Sequence, residues 1–105
     1  MPIEIQSLKT PSFRLDGQHA LITGAGGGIG AGIALAFAEA GAYPILVGRT
    51  EARLQEVAAC IQARGADARV AVCDINDSAA IRALIDSLPQ LDILVNNAGT
   101  NFPEP

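Results

Sequence analysis

Four short apolar runs punctuate the chain: HALIT at 19–23, YPILV at 43–47, ARVAVC at 68–73 and LDILV at 91–95. They read as nearly continuous apolar stretches, the pattern of strands buried on both faces. Between them apolar residues recur at helical spacing. Residues 29–40 (IGAGIALAFAEA) predict a helix with Ile29, Ile33, Phe37 and Ala40 near one face, closed by Gly41. A second helix is predicted from Glu51 to Arg64, with Leu54, Val57, Ala58 and Ile61 on one face, Thr50 as N-cap and Gly65 as its end. Ile81, Leu84, Ile85 and Leu88 predict a third, starting near Asn76 to Ser78 and stopping before Pro89. Pro44 falls near the start of its strand, where a missing donor does least harm.

The resulting order, βαβαβαβ, defines an α/β protein with a parallel sheet covered on both faces. Right-handed crossovers make it a doubly wound, Rossmann-type sheet, with strand order 3-2-1-4 expected for its first four strands. Ligands of such sheets lie beyond the carboxyl ends of the strands, where the strand order reverses. The unusual residues gather there: TGAGGGIG after the first strand, Gly48-Arg49-Thr50 after the second, Asp74 after the third and NNAG at 96–99 after the fourth. One ligand can touch all four loops.

Composition narrows the class of ligand. The 105 residues suffice for one small domain, and with 50% hydrophobic and 17% charged residues the chain is of globular type. A net charge of −4 leaves no basic field, so neither nucleic acid nor a membrane is an expected partner. The first 18 residues have no apolar h-region and no Arg-rich amphipathic pattern, and no apolar stretch is long enough to span a bilayer; a cytoplasmic location is the expectation. Cys60 and Cys73 lack the spacing of a zinc site and read as small buried hydrophobes, and His19 reads as a strand-edge residue; no metal site is expected.

The glycine cluster, five glycines in eight positions between a strand and a helix, exposes backbone N–H groups at the positive end of the helix dipole. A pyrophosphate fits such a loop. A triphosphate-binding P-loop would require Gly-Lys-Ser/Thr, whereas the chain reads Gly-Ile-Gly-Ala and has its only lysine at Lys9. The glycines fit three spacings: Gly24, Gly28 and Gly30; Gly24, Gly27 and Gly30; or Gly26 and Gly28 with Ala31. NNAG after an apolar strand is the rarer string and selects the first.

From Phe13-x-Leu15-x-Gly17 through TGAGGGIG, VGRT, CDI and NNAG the chain resembles the short-chain dehydrogenase/reductase family, in its 3-oxoacyl reductase-like or polyol dehydrogenase-like branch. The resemblance implies coenzyme contacts at Gly24, Gly26, Gly27, Gly28, Ile29 and Gly30 for the pyrophosphate, with Asp74 and Ile75 at the adenine. It further implies that Asn97, Ala98 and Gly99 run along the ribose toward the nicotinamide. An NAD enzyme usually carries Asp or Glu at the end of strand two, to accept from the ribose 2′-hydroxyl. Here Gly48, Arg49 and Thr50 stand there, and arginine suits a 2′-phosphate, so NADP is expected over NAD. Gly27 occupies the place where NADP-binding relatives often have a second basic residue. The family reaction moves a hydride to or from a small-molecule carbonyl or alcohol, using a tyrosine, a lysine four residues on and a serine. Tyr43 is the only tyrosine and Val47 follows it four residues later, so no catalytic residue is assigned and the chain by itself is expected to be inactive. The expected division is an N-terminal arm at 1–16 and a partial NAD(P)-binding domain at 17–105, the N-terminal half of a larger enzyme that forms a homo-oligomer when complete. A non-catalytic NAD(P)-binding sensor or subunit, and half of a nucleotide-sugar epimerase, are the alternatives.

Overall fold

The structure is a computed structural model in which residues 13–97 are described. Its elements run β1 (His19–Thr23), α1 (Gly28–Glu39), β2 (Tyr43–Gly48), α2 (Glu51–Ala63), β3 (Arg69–Val72), α3 (Ser78–Ser87) and β4 (Ile93–Val95). All strand pairs are parallel and the order across the sheet is β3-β2-β1-β4, as the sequence predicts. The crossover from β3 over to the far side of β1 puts the reversal of strand order between β1 and β4.

Alternation along the strands sends neighbouring residues to opposite faces. Ile22 and Leu46 face α1 and α2, packing with Ala34, Ala38, Leu54, Val57, Ala58 and Ile61. Leu21, Ile45 and Val47 face the other way, against half-buried Ile81 and Leu84 of α3 and Leu88 at its C-cap. The predicted apolar face of α2 is therefore the buried one, while α3 covers its side of the sheet without any fully buried residue.

Helix α1 departs from its predicted face. Its buried positions are Gly30, Ala34 and Ala38, at four-residue intervals; Ile33 and Phe37 flank them half-buried, and Ile29 is 75% exposed. The reason is distance: small residues let the helix backbone lie close on β1 and β2, and the larger side chains fill the grooves on either side. Both α1 and α2 end in Schellman motifs. Ala42 N–H donates to Phe37 O and Gly41 N–H to Ala38 O, and Ala66 and Gly65 repeat the pattern on Ile61 and Gln62. Gly41 and Gly65 have φ of 98° and 82°, which explains why each helix stops at a glycine.

Two local expectations change, at Thr50 and at the cysteines. Thr50 holds the N-cap position of α2 but its side chain caps nothing, whereas Asp77 caps α3 by accepting from the Ala80 N–H at 3.1 Å. Cys60 is exposed on the solvent side of α2 and Cys73 is half-buried, so neither is a core hydrophobe. His19 opens the inner strand β1 and rests its ring on that of Tyr43, centroids 4.8 Å apart. The start of β1 is tied to β4 by Asp92, whose carboxylate accepts from the His19 N–H at 2.8 Å and from the Gln90 amide, which also donates to Gly17 O. These hydrogen bonds, the backbone one foremost, hold the Asp92 carboxyl below the usual carboxylate range. A lowered folded-state pKa gives stability that is present above the unfolded value, about 3.9, and lost as pH falls through the folded one. Acid titration of Asp92→Asn is accordingly expected to show a shallower loss of stability below about pH 4 than the parent protein, read from urea midpoints at several pH values.

Candidate functional site

At the carboxyl ends of the strands lies a crevice of about 560 Å³. Thr23 and Gly24 from the end of β1, Gly48 and Arg49 from β2, Asp74 from β3 and Asn96 from β4 reach its lining, so all four loops singled out in the sequence meet there. Cys73 and Ile75 lie in the same wall. Burial first, and then the carboxylates of Asp77 and Asp74, push the Cys73 thiol up.

The glycine loop is fastened from two sides, by β2 and by the end of β4. Ala25 N–H donates to Val47 O at 3.1 Å, bonding the loop to β2. The Asn97 side-chain amide donates to Gly24 O at 3.4 Å, and the Thr23 hydroxyl donates to Val95 O at 3.3 Å, bonding it to the end of β4. Gly24 and Gly28 have φ of 63° and 57°, a region where a side chain is strained. Gly30 is required for a different reason. A Cβ there would overlap the Gly24 carbonyl oxygen and come within 2.9 Å of Asn97 Nδ2, so the first turn of α1 rests directly on the loop.

The loop's chemistry fits an anion. No side chain caps α1 and its first turn contains no acidic residue, so the positive end of the helix dipole is unanswered by any side chain of the cap or first turn. Gly26 to Ile29 lie at this helix start, outside the crevice lining, which takes only Thr23 and Gly24 from the loop; Gly27, Gly28 and Ile29 are exposed. Arg49 stands exposed in the crevice wall, and among the described residues no carboxylate pairs with it. Thr50 follows it, also exposed. Asp74 uses one carboxylate oxygen to accept from the Asn76 N–H at 2.9 Å, a turn role, and still lines the crevice. Asn97 is turned to the Gly24 carbonyl and so acts as a brace of the loop. Ala98 and Gly99 lie outside the described residues.

Leu54, read from the sequence only as a core residue, and Arg53, which the sequence reading passed over, also shape this end of the fold. Leu54 of α2, wholly buried, would meet a Cβ on Gly48 at 3.2 Å and one on Gly26 at 3.7 Å, so it packs under both loops at once. Arg53 runs beside Gly26 and Gly27, its Nη1 3.7 Å from where a Gly27 Cβ would stand. The signal for both was their place in the first turn of α2, one turn beyond Arg49 and Thr50. Among the described residues there is no cluster of metal-ligating side chains, and no helix is long and apolar enough to cross a membrane.

A parallel sheet with a glycine loop leading into a helix, next to a crevice at the switch point, defines a Rossmann-type nucleotide-binding fold. The family model described as short chain dehydrogenase matches residues 18–105, and the chain belongs to that family. It is 45% identical over 90 residues to a fatty acyl-CoA reductase of Acinetobacter baylyi, covering 82% of this chain and 30% of that protein. The crystal structure of a hydroxysteroid dehydrogenase from Escherichia coli superposes with a TM-score of 0.75 at 44% identity, over 88% of this chain and 41% of that one. A metagenomic short-chain oxidoreductase solved in complex with NADP gives a TM-score of 0.70 at 36% identity, over 76% of this chain and 38% of its own. The chain thus spans about a third of the length of the curated relatives it matches.

Proposed function

We propose that these residues form the coenzyme-binding half of an NADP-dependent oxidoreductase. The reaction is hydride transfer between the nicotinamide and the carbonyl or secondary-alcohol carbon of a small molecule. The observation that carries the coenzyme choice is Arg49: at the end of β2, in the crevice wall and without a carboxylate partner among the described residues, it stands where an NAD enzyme would place an acid. The NADP bound by the metagenomic relative supports the same choice.

In this reading the pyrophosphate lies over Gly24, Gly26, Gly27, Gly28, Ile29 and Gly30, where open N–H groups answer its charge. Arg49 and Thr50 take the 2′-phosphate, Asp74 and Ile75 the adenine, and Asn97 with Ala98 and Gly99 the ribose side toward the nicotinamide. Proton transfer is assigned to residues outside these 105, because Tyr43 begins a strand beside His19 and has Val47 four residues on. The complete protein is read as a cytoplasmic homo-oligomer with a partial NAD(P)-binding unit at residues 17–105.

Coenzyme titrations of the complete protein and of Arg49→Asp test this. Losing a bidentate guanidinium–phosphate contact and adding a negative charge is expected to weaken NADP binding by about 100-fold while leaving NAD binding unchanged or improved. An unchanged ratio of NADP to NAD affinity would overturn the reading.

A further inference from the structure

Gly27 is exposed in the glycine loop, and a side chain starting there would meet nothing but Arg53. That space is approached from another element. The Arg53 stem passes Gly26, its Cβ 3.2 Å and its Cδ 3.9 Å from where a Gly26 side chain would begin, and its guanidinium ends beside Gly27. The two glycines form a track along which the arginine lies.

Its electrostatic setting is unusual for a structural arginine. Arg53 is the third residue of α2, in the turn where the helix dipole disfavours a cation. Neither Glu51 nor Glu56 of the same helix forms an ion pair with it, and the two ion pairs among the described residues involve Arg14 and Arg64 instead. Thr50, at the cap of the same helix, leaves the first turn without a side-chain acceptor. Arg49, one turn earlier, lines the crevice, and Arg53 lies outside that lining, alongside the exposed glycine loop at Gly26 and Gly27.

The geometry points to Arg53 as the second cation of the 2′-phosphate site, reaching from α2 into the place that Gly27 leaves open and setting the preference for NADP together with Arg49. This rests on the NADP reading above and adds a residue to it.

The test compares NADP and NAD affinities of the complete protein as Arg53→Gln and as the double variant Arg53→Gln with Gly27→Arg, alongside Arg49→Asp. Gly27 has extended backbone, φ 177°, and a Cβ there meets nothing but Arg53, so an arginine is sterically admissible. Arg53→Gln is expected to weaken NADP binding by about 10-fold or more, with a lower salt dependence and no change for NAD. Gly27→Arg in that background is expected to restore NADP affinity, which a merely structural role for Arg53 would not allow. Equal weakening of both coenzymes, or no weakening of either, overturns the proposal. If Arg49→Asp reverses the preference and Arg53→Gln does not move it, Arg53 alone is refuted; if the parent protein does not prefer NADP, the underlying reading falls and this one with it.

Discussion

Replacing Gly30 by alanine is expected to destabilise the complete protein by about 3 kcal/mol or more and to abolish coenzyme binding. One methyl group has that effect because of what it meets. The added carbon would overlap the Gly24 carbonyl oxygen, lie 2.8 Å from the carbon of the same carbonyl and 2.9 Å from Asn97 Nδ2. A flexible side chain can swing away from such a contact at little cost, but this one is backbone. Gly24 is held in a left-handed conformation at φ 63°, and the next residue is bonded to Val47 O, so the loop cannot recede without breaking its link to β2. Moving α1 instead would lift Ala34 and Ala38 out of the core they share with Ile22 and Leu46. Other glycines of the same stretch give the contrast. Gly28→Ala meets no atom but sits at φ 57°, and should cost about 1 kcal/mol. Gly32→Ala, with open space around it in the middle of α1, should stabilise by about 0.5–1 kcal/mol. Urea midpoints and coenzyme titrations of the three variants check the order; a Gly30→Ala protein with the parent's midpoint and affinity would show that helix and loop are not in contact.

The same residue shows where sequence reading reached its limit. β1 and β2 were legible because apolar runs bounded by glycine have few other uses, and α2 because Leu54, Val57, Ala58 and Ile61 are both apolar and large enough to mark a face. In α1 the periodic signal came from Ile29, Ile33 and Phe37, yet the contact is made by Gly30, Ala34 and Ala38. Close approach depends on missing volume, which a pattern of hydrophobic residues registers weakly. The four loops of the site were legible as unusual strings at equivalent ends of successive strands. How they hold one another was not: the Asn97 amide on Gly24 O spans 73 positions of sequence, and Arg53 reaches Gly27 through a rotamer that spacing does not encode. Cys60 was read as core from its residue type, although helical spacing sets it off the face of Leu54, Val57, Ala58 and Ile61 that is buried.

Leu54→Ala is expected to cost about 2–5 kcal/mol of stability and, unlike truncations elsewhere on α2, to weaken coenzyme binding as well. The first effect is that of any wholly buried leucine whose removal leaves a cavity. The second follows from its position. The isobutyl group packs close to the backbone of Gly48 and also near Gly26, so it supports the end of β2 that presents Arg49 and the loop that meets the pyrophosphate in the proposed complex. With neither glycine carrying a side chain, nothing else on those residues can fill the gap from above. Collapse into the cavity would draw the two loops together, whereas an open cavity would leave both unsupported; either way the relative placement of Arg49 and the glycine N–H groups is lost. Leu54→Met keeps most of the volume and an adaptable chain, and is expected to cost less than about 1.5 kcal/mol with near-parent affinity. Ile61→Ala provides the control, being as fully buried but at the far end of the same helix, beside the Gly65 cap. It should lower the urea midpoint comparably while the folded protein binds coenzyme as the parent does. If Leu54→Ala and Ile61→Ala reduce affinity equally, loop support by Leu54 is refuted and the loss is one of general stability.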